Sequence, residues 1–125
     1  TGDGETLMGL GSLASVAMQG PQNLSICTFD NERYGETGMQ LTHTSANTDL
    51  AAVAAACGIP VVGTVRTQEE LQAALPLILE GPGPVYHLIK VRAEKCDFVL
   101  PPKDGVHLKE RFRSALLGDD AYLRP

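Results

Sequence analysis

The sequence predicts an α/β fold, a parallel sheet with helices on both faces. Three observations lead there. The runs LSICTF at 24–29, VVGTVR at 61–66 and PVYHLIKV at 84–91 have the length and β-branched content of strands. Between them lie segments with apolar residues at helical spacing, so strand and helix alternate along the chain. The strand-like runs are also mostly apolar throughout, as expected of parallel strands covered on both faces.

Taken in order, Thr6 to Gln19 predicts one helix, with Leu7, Leu10, Leu13, Ala14 and Ala17 on one face and Gly20-Pro21 as its stop. The first strand follows, ended by Asp30-Asn31. Residues 31–47 are polar and contain glycine, and a loop of that length in a compact domain is functional or mobile. Asn47 or Thr48 is expected to cap a helix over DLAAVAAACG, stopped at Gly58. After the second strand, Thr67 caps QEELQAALPLILEG, with Glu70 at the offset of a capping box and Pro76 as a possible kink. His87 falls in the third strand, where a hydrogen-bonded structural role is expected. Beyond Ala93 the pattern weakens to an extended piece, a turn and one short amphipathic helix that carries His107 and the basic cluster KERFR.

Residues 1–125 therefore read as a single, partial domain, with 93–125 as a C-terminal extension. Gly2-Asp3-Gly4 has the composition of a loop that leaves a strand and feeds a helix. The expectation is that this chain is the C-terminal part of a larger α/β domain, with a sheet edge beside Gly2 open to another polypeptide or another copy.

Bulk properties narrow the function. The chain has 125 residues, 43% hydrophobic and 20% charged, with a net charge of −5. Phosphate backbones are bound by basic stripes, and none is present, so no nucleic-acid partner is expected. No apolar run reaches the roughly 18 residues of a membrane span. Cys27, Cys57 and Cys96 are odd in number and widely spaced. This pattern predicts reduced thiols in a cytoplasmic protein.

Ligands of open parallel sheets sit outside the carboxyl ends of the strands. Two loops are expected at that edge. Asp3 offers a carboxylate and Asn31 an amide oxygen, the donor set of a hard cation such as Mg²⁺. Gly4 permits close approach of a ligand to the backbone, and the start of the following helix favours a phosphate group. Each element alone is equally an ordinary turn or strand stop.

Together they form a longer pattern. Gly2-Asp3-Gly4, then 26 residues from Glu5 to Asp30, then Asn31, resembles the motif of thiamine diphosphate-dependent enzymes. GDGETLMGLGSLASVA, NLSICTFDNERYGETGMQLTHT and TDLAAVAAACG are similar to the pyrophosphate-binding domain of sulfopyruvate and phosphonopyruvate decarboxylases, over roughly residues 1–92. The resemblance implies that the Asp3 and Asn31 side chains and the Arg33 backbone carbonyl hold Mg²⁺, which in turn holds the cofactor's diphosphate. It places Gly2, Asp3, Gly4, Glu5, Asn31, Tyr34 and Gly35 at the cofactor. It also implies a pyrimidine-binding domain or subunit as partner, an oligomer, and a small anionic 2-oxo acid as substrate. Many relatives have Asn-Asn where this chain has Asp30-Asn31, which leaves the metal-binding second position intact. Glu36 and His43, in the loop RYGETGMQLTHT, are candidates to meet the substrate as the loop closes, or are polar residues of a solvated loop. The implied reaction is decarboxylation. Carboligation, oxidative decarboxylation and a non-catalytic nucleotide-binding module stand as alternatives.

Overall fold

The computed structural model describes residues 1–94, 97 and 99–122. The chain divides into two compact units, residues 1–95 and 96–125. In the first, three parallel strands form the sheet: β1 (Ser25–Asp30), β4 (Val61–Val65) and β5 (Val85–Lys90). Their order is β1-β5-β4, so the last strand to arrive takes the centre. Every residue of β5 from Val85 to Ile89 is buried. That is the expected environment of a strand covered on both faces.

One face packs against α2 (Ser12–Gln19) and α3 (Leu50–Ala56). Leu13, Leu50, Ala51 and Ala54 from these helices meet Tyr86 and Leu88 of β5. Strand alternation turns Val85, His87 and Ile89 to the other face. There α4 (Gln68–Glu80) contacts all three strands, and Ser25 Oγ donates to the Ile78 carbonyl at 2.5 Å. The α/β class and the parallel sheet agree with the sequence reading.

The first helix does not. The expected single helix from Thr6 is two: α1 (Asp3–Met8) and α2, broken at Gly9-Leu10-Gly11. Glycine in a helix interior costs about 1 kcal/mol relative to alanine, and two lie at the break. Ser12 Oγ also donates to the Gly9 carbonyl at 2.7 Å and closes the turn. Starting at Asp3 moves the Gly-Asp-Gly aspartate into the first turn of α1.

The cap of α3 is also different from the expectation. Neither Asn47 nor Thr48 caps it; Asp49 does, accepting from Ala51 N at 2.9 Å and Ala52 N at 3.1 Å. The Thr67–Glu70 capping box on α4 is present, and the helix runs through Pro76. Residues 31–47 are more ordered than a plain loop. They contain a short antiparallel hairpin, β2 (Arg33–Tyr34) with β3 (Gln40–Leu41), and two 3₁₀ turns, Gly35–Thr37 and His43–Ser45.

His87 is buried, 5% exposed, but the expected hydrogen bond is missing. Its Nδ1 has no partner among the described residues; the other edge of the ring, Cδ2 and Nε2, lies over Gly63 of β4. Cys27 and Cys57 are free thiols; Cys96 lies outside the described residues. Among the described residues no helix is long and apolar enough to cross a membrane.

The second unit contains α5 (Gly105–Leu117) and a 3₁₀ turn, Gly118–Tyr122. Asp104 caps α5 by accepting from His107 N at 3.1 Å. Arg113 Nε donates to the Ala121 carbonyl at 2.7 Å and fastens the turn to the helix. The His107 side chain is exposed.

Candidate functional site

The two loops singled out in the sequence meet at the carboxyl end of β1. Gly2 pairs with Phe29 in a parallel bridge, and Phe29 N donates to the Thr1 carbonyl at 2.9 Å. Asp3 thus enters α1 beside the residues that end β1, Asp30 and Asn31.

A cleft of about 510 Å³ opens there. Its lining includes Gly2, Asp3, Gly4, Glu5, Asn31, Arg33, Tyr34, Gly35 and Glu36, along with Met8, Phe29, Thr37 and Val91. All the residues expected at the site are brought together except His43. That side chain is exposed at the start of the second 3₁₀ turn and does not line the cleft.

Asp3 is 2% exposed. Thr42 Oγ1 donates to its Oδ2 at 2.5 Å, and Thr44 Oγ1 lies 3.2 Å from the same oxygen. Its Oδ1 makes no hydrogen bond and Asp3 makes no ion pair among the described residues. A buried carboxylate without a cation is costly. The free oxygen is the kind of donor a hard metal ion takes. Asn31 Oδ1 accepts from Arg33 N at 2.9 Å, which folds the 31–33 backbone into a tight turn around a second oxygen donor.

Gly4 fits its role by contact. A methyl group there would stand 2.5 Å from Tyr34 Cε1, so the tyrosine ring lies directly on the glycine and forms a wall of the cleft. Glu5, by contrast, turns back on the chain. Its Oε2 accepts from Gly2 N at 3.0 Å and from Thr1 Oγ1 at 2.9 Å. Those two bonds, the Gly2 one foremost, lower its pKa. Charge in the lining is unbalanced: Asp3, Glu5 and Glu36 face one cation, Arg33. An anionic ligand would need a metal to enter.

Sequence reasoning missed the support beneath this floor. Asp30, 1% exposed, accepts from Glu32 N at 3.0 Å and Thr44 Oγ1 at 2.8 Å on Oδ1, and from Lys90 Nζ at 2.9 Å on Oδ2. Lys90 also donates to Glu32 Oε1 at 2.5 Å. Burial tends to lower the Lys90 pKa, but its bonds to Glu32 and Asp30 outweigh that and hold it raised. The hydroxyls in THTS were a faint signal for Thr42 and Thr44; nothing local pointed to Lys90.

Comparisons with known proteins show the family. Residues 1–89 match the family described as thiamine pyrophosphate enzyme, C-terminal TPP binding domain. The chain is 36% identical over 118 residues to sulfopyruvate decarboxylase subunit beta of Methanocaldococcus jannaschii, covering 92% of this chain and 61% of that protein. It is 40% identical over 114 residues to phosphonopyruvate decarboxylase of Streptomyces viridochromogenes, covering 90% of this chain and 28% of that protein. The chain thus spans about three fifths of the first of these relatives and about a quarter of the second. By the match over residues 1–89, it belongs to the family of thiamine pyrophosphate enzymes, as their C-terminal TPP-binding domain.

Proposed function

We propose that this chain holds the Mg²⁺–diphosphate end of thiamine diphosphate in a 2-oxo acid decarboxylase. The observation that carries the reading is Asp3: buried at the cleft, fixed through one oxygen by Thr42, and with no cationic side chain paired to it among the described residues. Asp3, Asn31 and the Arg33 carbonyl would supply the protein oxygens to the metal. Gly4 and the Tyr34 ring would let the cofactor lie close to the backbone, with Gly2 and Gly35 beside them in the lining. The bound cofactor would supply the electron sink that decarboxylation of a 2-oxo acid needs.

The chain's own residues orient and enclose. Asp3 and Asn31 would fix where a metal ion sits. The apolar side chains of Phe29, Met8 and Val91 in the lining limit water around the ligand. Glu36 lies in the same lining and would meet the substrate there, whereas His43 would have to be carried in by movement of the 35–45 segment. The names of the relatives favour a small anionic substrate, a sulfonated or phosphonated pyruvate. The word subunit in the first of those names favours a partner polypeptide that supplies the pyrimidine-binding half, in an oligomer.

Calorimetric titration of the assembled protein tests the reading. Thiamine diphosphate should bind when Mg²⁺ is present and fail to bind with a chelator, and Asp3→Ala should abolish the Mg²⁺-dependent part. Binding of equal strength with and without the metal, or in Asp3→Ala, would overturn it.

A further inference from the structure

Lys90 lies outside the cleft lining yet touches both residues that bracket Asn31. It ends β5, directly across the sheet from Asp30 at the end of β1. Its ammonium is 2.9 Å from Asp30 Oδ2 and 2.5 Å from Glu32 Oε1.

Glu32 is the residue that needs holding. Its φ is +61°, a left-handed conformation that a residue with a Cβ disfavours. Such a conformation persists only where its surroundings over-determine it. Here four contacts do so: Glu32 N on Asp30 Oδ1 at 3.0 Å, the Glu32 carbonyl on Thr42 N at 3.1 Å and on Arg33 Nη1 at 3.0 Å, and the Glu32 carboxylate on Lys90. The left-handed step directly follows Asn31 and directly precedes Arg33. It therefore sets how the Asn31 side chain and the Arg33 carbonyl are presented. Asp30 extends the same scaffold to the other loop, because Thr44 Oγ1 donates to it at 2.8 Å and stands 3.2 Å from Asp3 Oδ2.

We propose that Lys90 is a positioning residue for the diphosphate site: by clamping Asp30 and Glu32 it holds the 30–33 turn in the conformation that presents Asn31 and the Arg33 carbonyl. This rests on the metal–diphosphate reading of the cleft. It differs from a simple stabilising ion pair in one respect. If the clamp acts on the Glu32 backbone, a residue that adopts a left-handed conformation freely makes the clamp dispensable. Glycine is that residue.

The test measures two quantities in the assembled protein: the Kd for thiamine diphosphate at saturating Mg²⁺, and amide exchange at Glu32 and Arg33 without ligand. Lys90→Met should raise the Kd about tenfold, the equilibrium equivalent of a left-handed residue left unsupported, and exchange should quicken at both amides. Lys90→Arg should stay within about threefold of wild type, since it keeps the charge and the donors. Adding Glu32→Gly to Lys90→Met should recover most of the affinity. Should Lys90→Met fail to fold, Lys90→Met with Asp30→Asn leaves no unpaired buried charge at position 30; the same loss and the same recovery with Glu32→Gly are expected there. A wild-type Kd in Lys90→Met overturns the proposal, as does an absence of recovery with Glu32→Gly. A wild-type protein that binds no thiamine diphosphate overturns the site reading and this proposal with it, an outcome distinct from binding that ignores Lys90.

Discussion

Replacing Gly4 with alanine places a methyl group where the Tyr34 ring already lies. The new Cβ would stand 2.5 Å from Cε1 and 2.6 Å from Cδ1. Carbon atoms rest comfortably at about 3.5–4.0 Å, so the ring must retreat by about 1 Å. Overpacking of this kind costs about 1–3 kcal/mol. Alanine in α1 returns up to about 1 kcal/mol through helix propensity. The net loss expected for Gly4→Ala is therefore about 0–2 kcal/mol. Cofactor affinity should fall as well, because the displaced ring is a wall of the cleft. Urea denaturation of Gly4→Ala, Tyr34→Ala and the double variant isolates the clash. In the Tyr34→Ala background the alanine should stabilise rather than destabilise, with a coupling energy of about 1–3 kcal/mol. If Gly4→Ala alone stabilises by the full propensity gain of about 1 kcal/mol and binds cofactor as wild type does, the ring is not packed on Gly4 and this part of the site is wrong.

Two further changes probe the polar floor and the buried histidine. Thr44→Val keeps the shape but removes the hydroxyl between Asp30 and Asp3; unfolding stability should drop by about 1–3 kcal/mol, with no loss if the hydroxyl is idle. His87 has a folded pKa pushed below its ordinary 6.5 by burial. The unfolded chain then takes up the proton more readily. Stability is full above about pH 6.5 and falls as the pH drops below that toward the folded value, by at most about 1.4 kcal/mol per pH unit. The urea midpoint of wild type should therefore fall between pH 8 and pH 5 more steeply than that of His87→Leu. Equal slopes would mean that His87 takes up its proton as readily in the fold as in the unfolded chain, and would contradict its burial.

Much of this architecture is written locally. The alternation of apolar runs with helical spacing is enough for the class and for parallel strands. Thr67 and Glu70 announce a helix start three residues apart, a signal that tertiary structure has no reason to override. The break at Gly9-Leu10-Gly11 was harder, because the apolar spacing continues across it and only the two glycines argue against a continuous helix. At the start of α3 the two expected caps, Asn47 and Thr48, stand directly before the actual one, Asp49, and propensity does not separate the three; the backbone that reaches Asp49 does. The site divides the same way. Asp3 and Asn31 were legible as a spaced motif, and the cleft gathers the residues around them. Lys90, Thr42 and Thr44 were not legible, because they reach the motif across 39 to 60 residues of chain and no short-range pattern records such contacts. His87 looked like a satisfied core histidine; that its Nδ1 lacks a partner depends on what the fold packs around the ring, which the residues beside it in the chain do not record.

The central claim is that Asp3 and Asn31 share one metal ion with the cofactor's diphosphate. Substituting Mn²⁺ for Mg²⁺ in the assembled protein makes that claim directly measurable. Electron–nuclear double resonance on the Mn²⁺–thiamine diphosphate complex should show phosphorus coupling from the diphosphate, and specific ¹⁵N labelling of asparagine should add a weak coupling through the Asn31 amide that disappears in Asn31→Ala. Asp3→Asn should remove the protein-bound Mn²⁺ signal at metal concentrations that saturate wild type. A bound Mn²⁺ with phosphorus coupling but no change in either variant would place the metal on the cofactor alone and contradict the account.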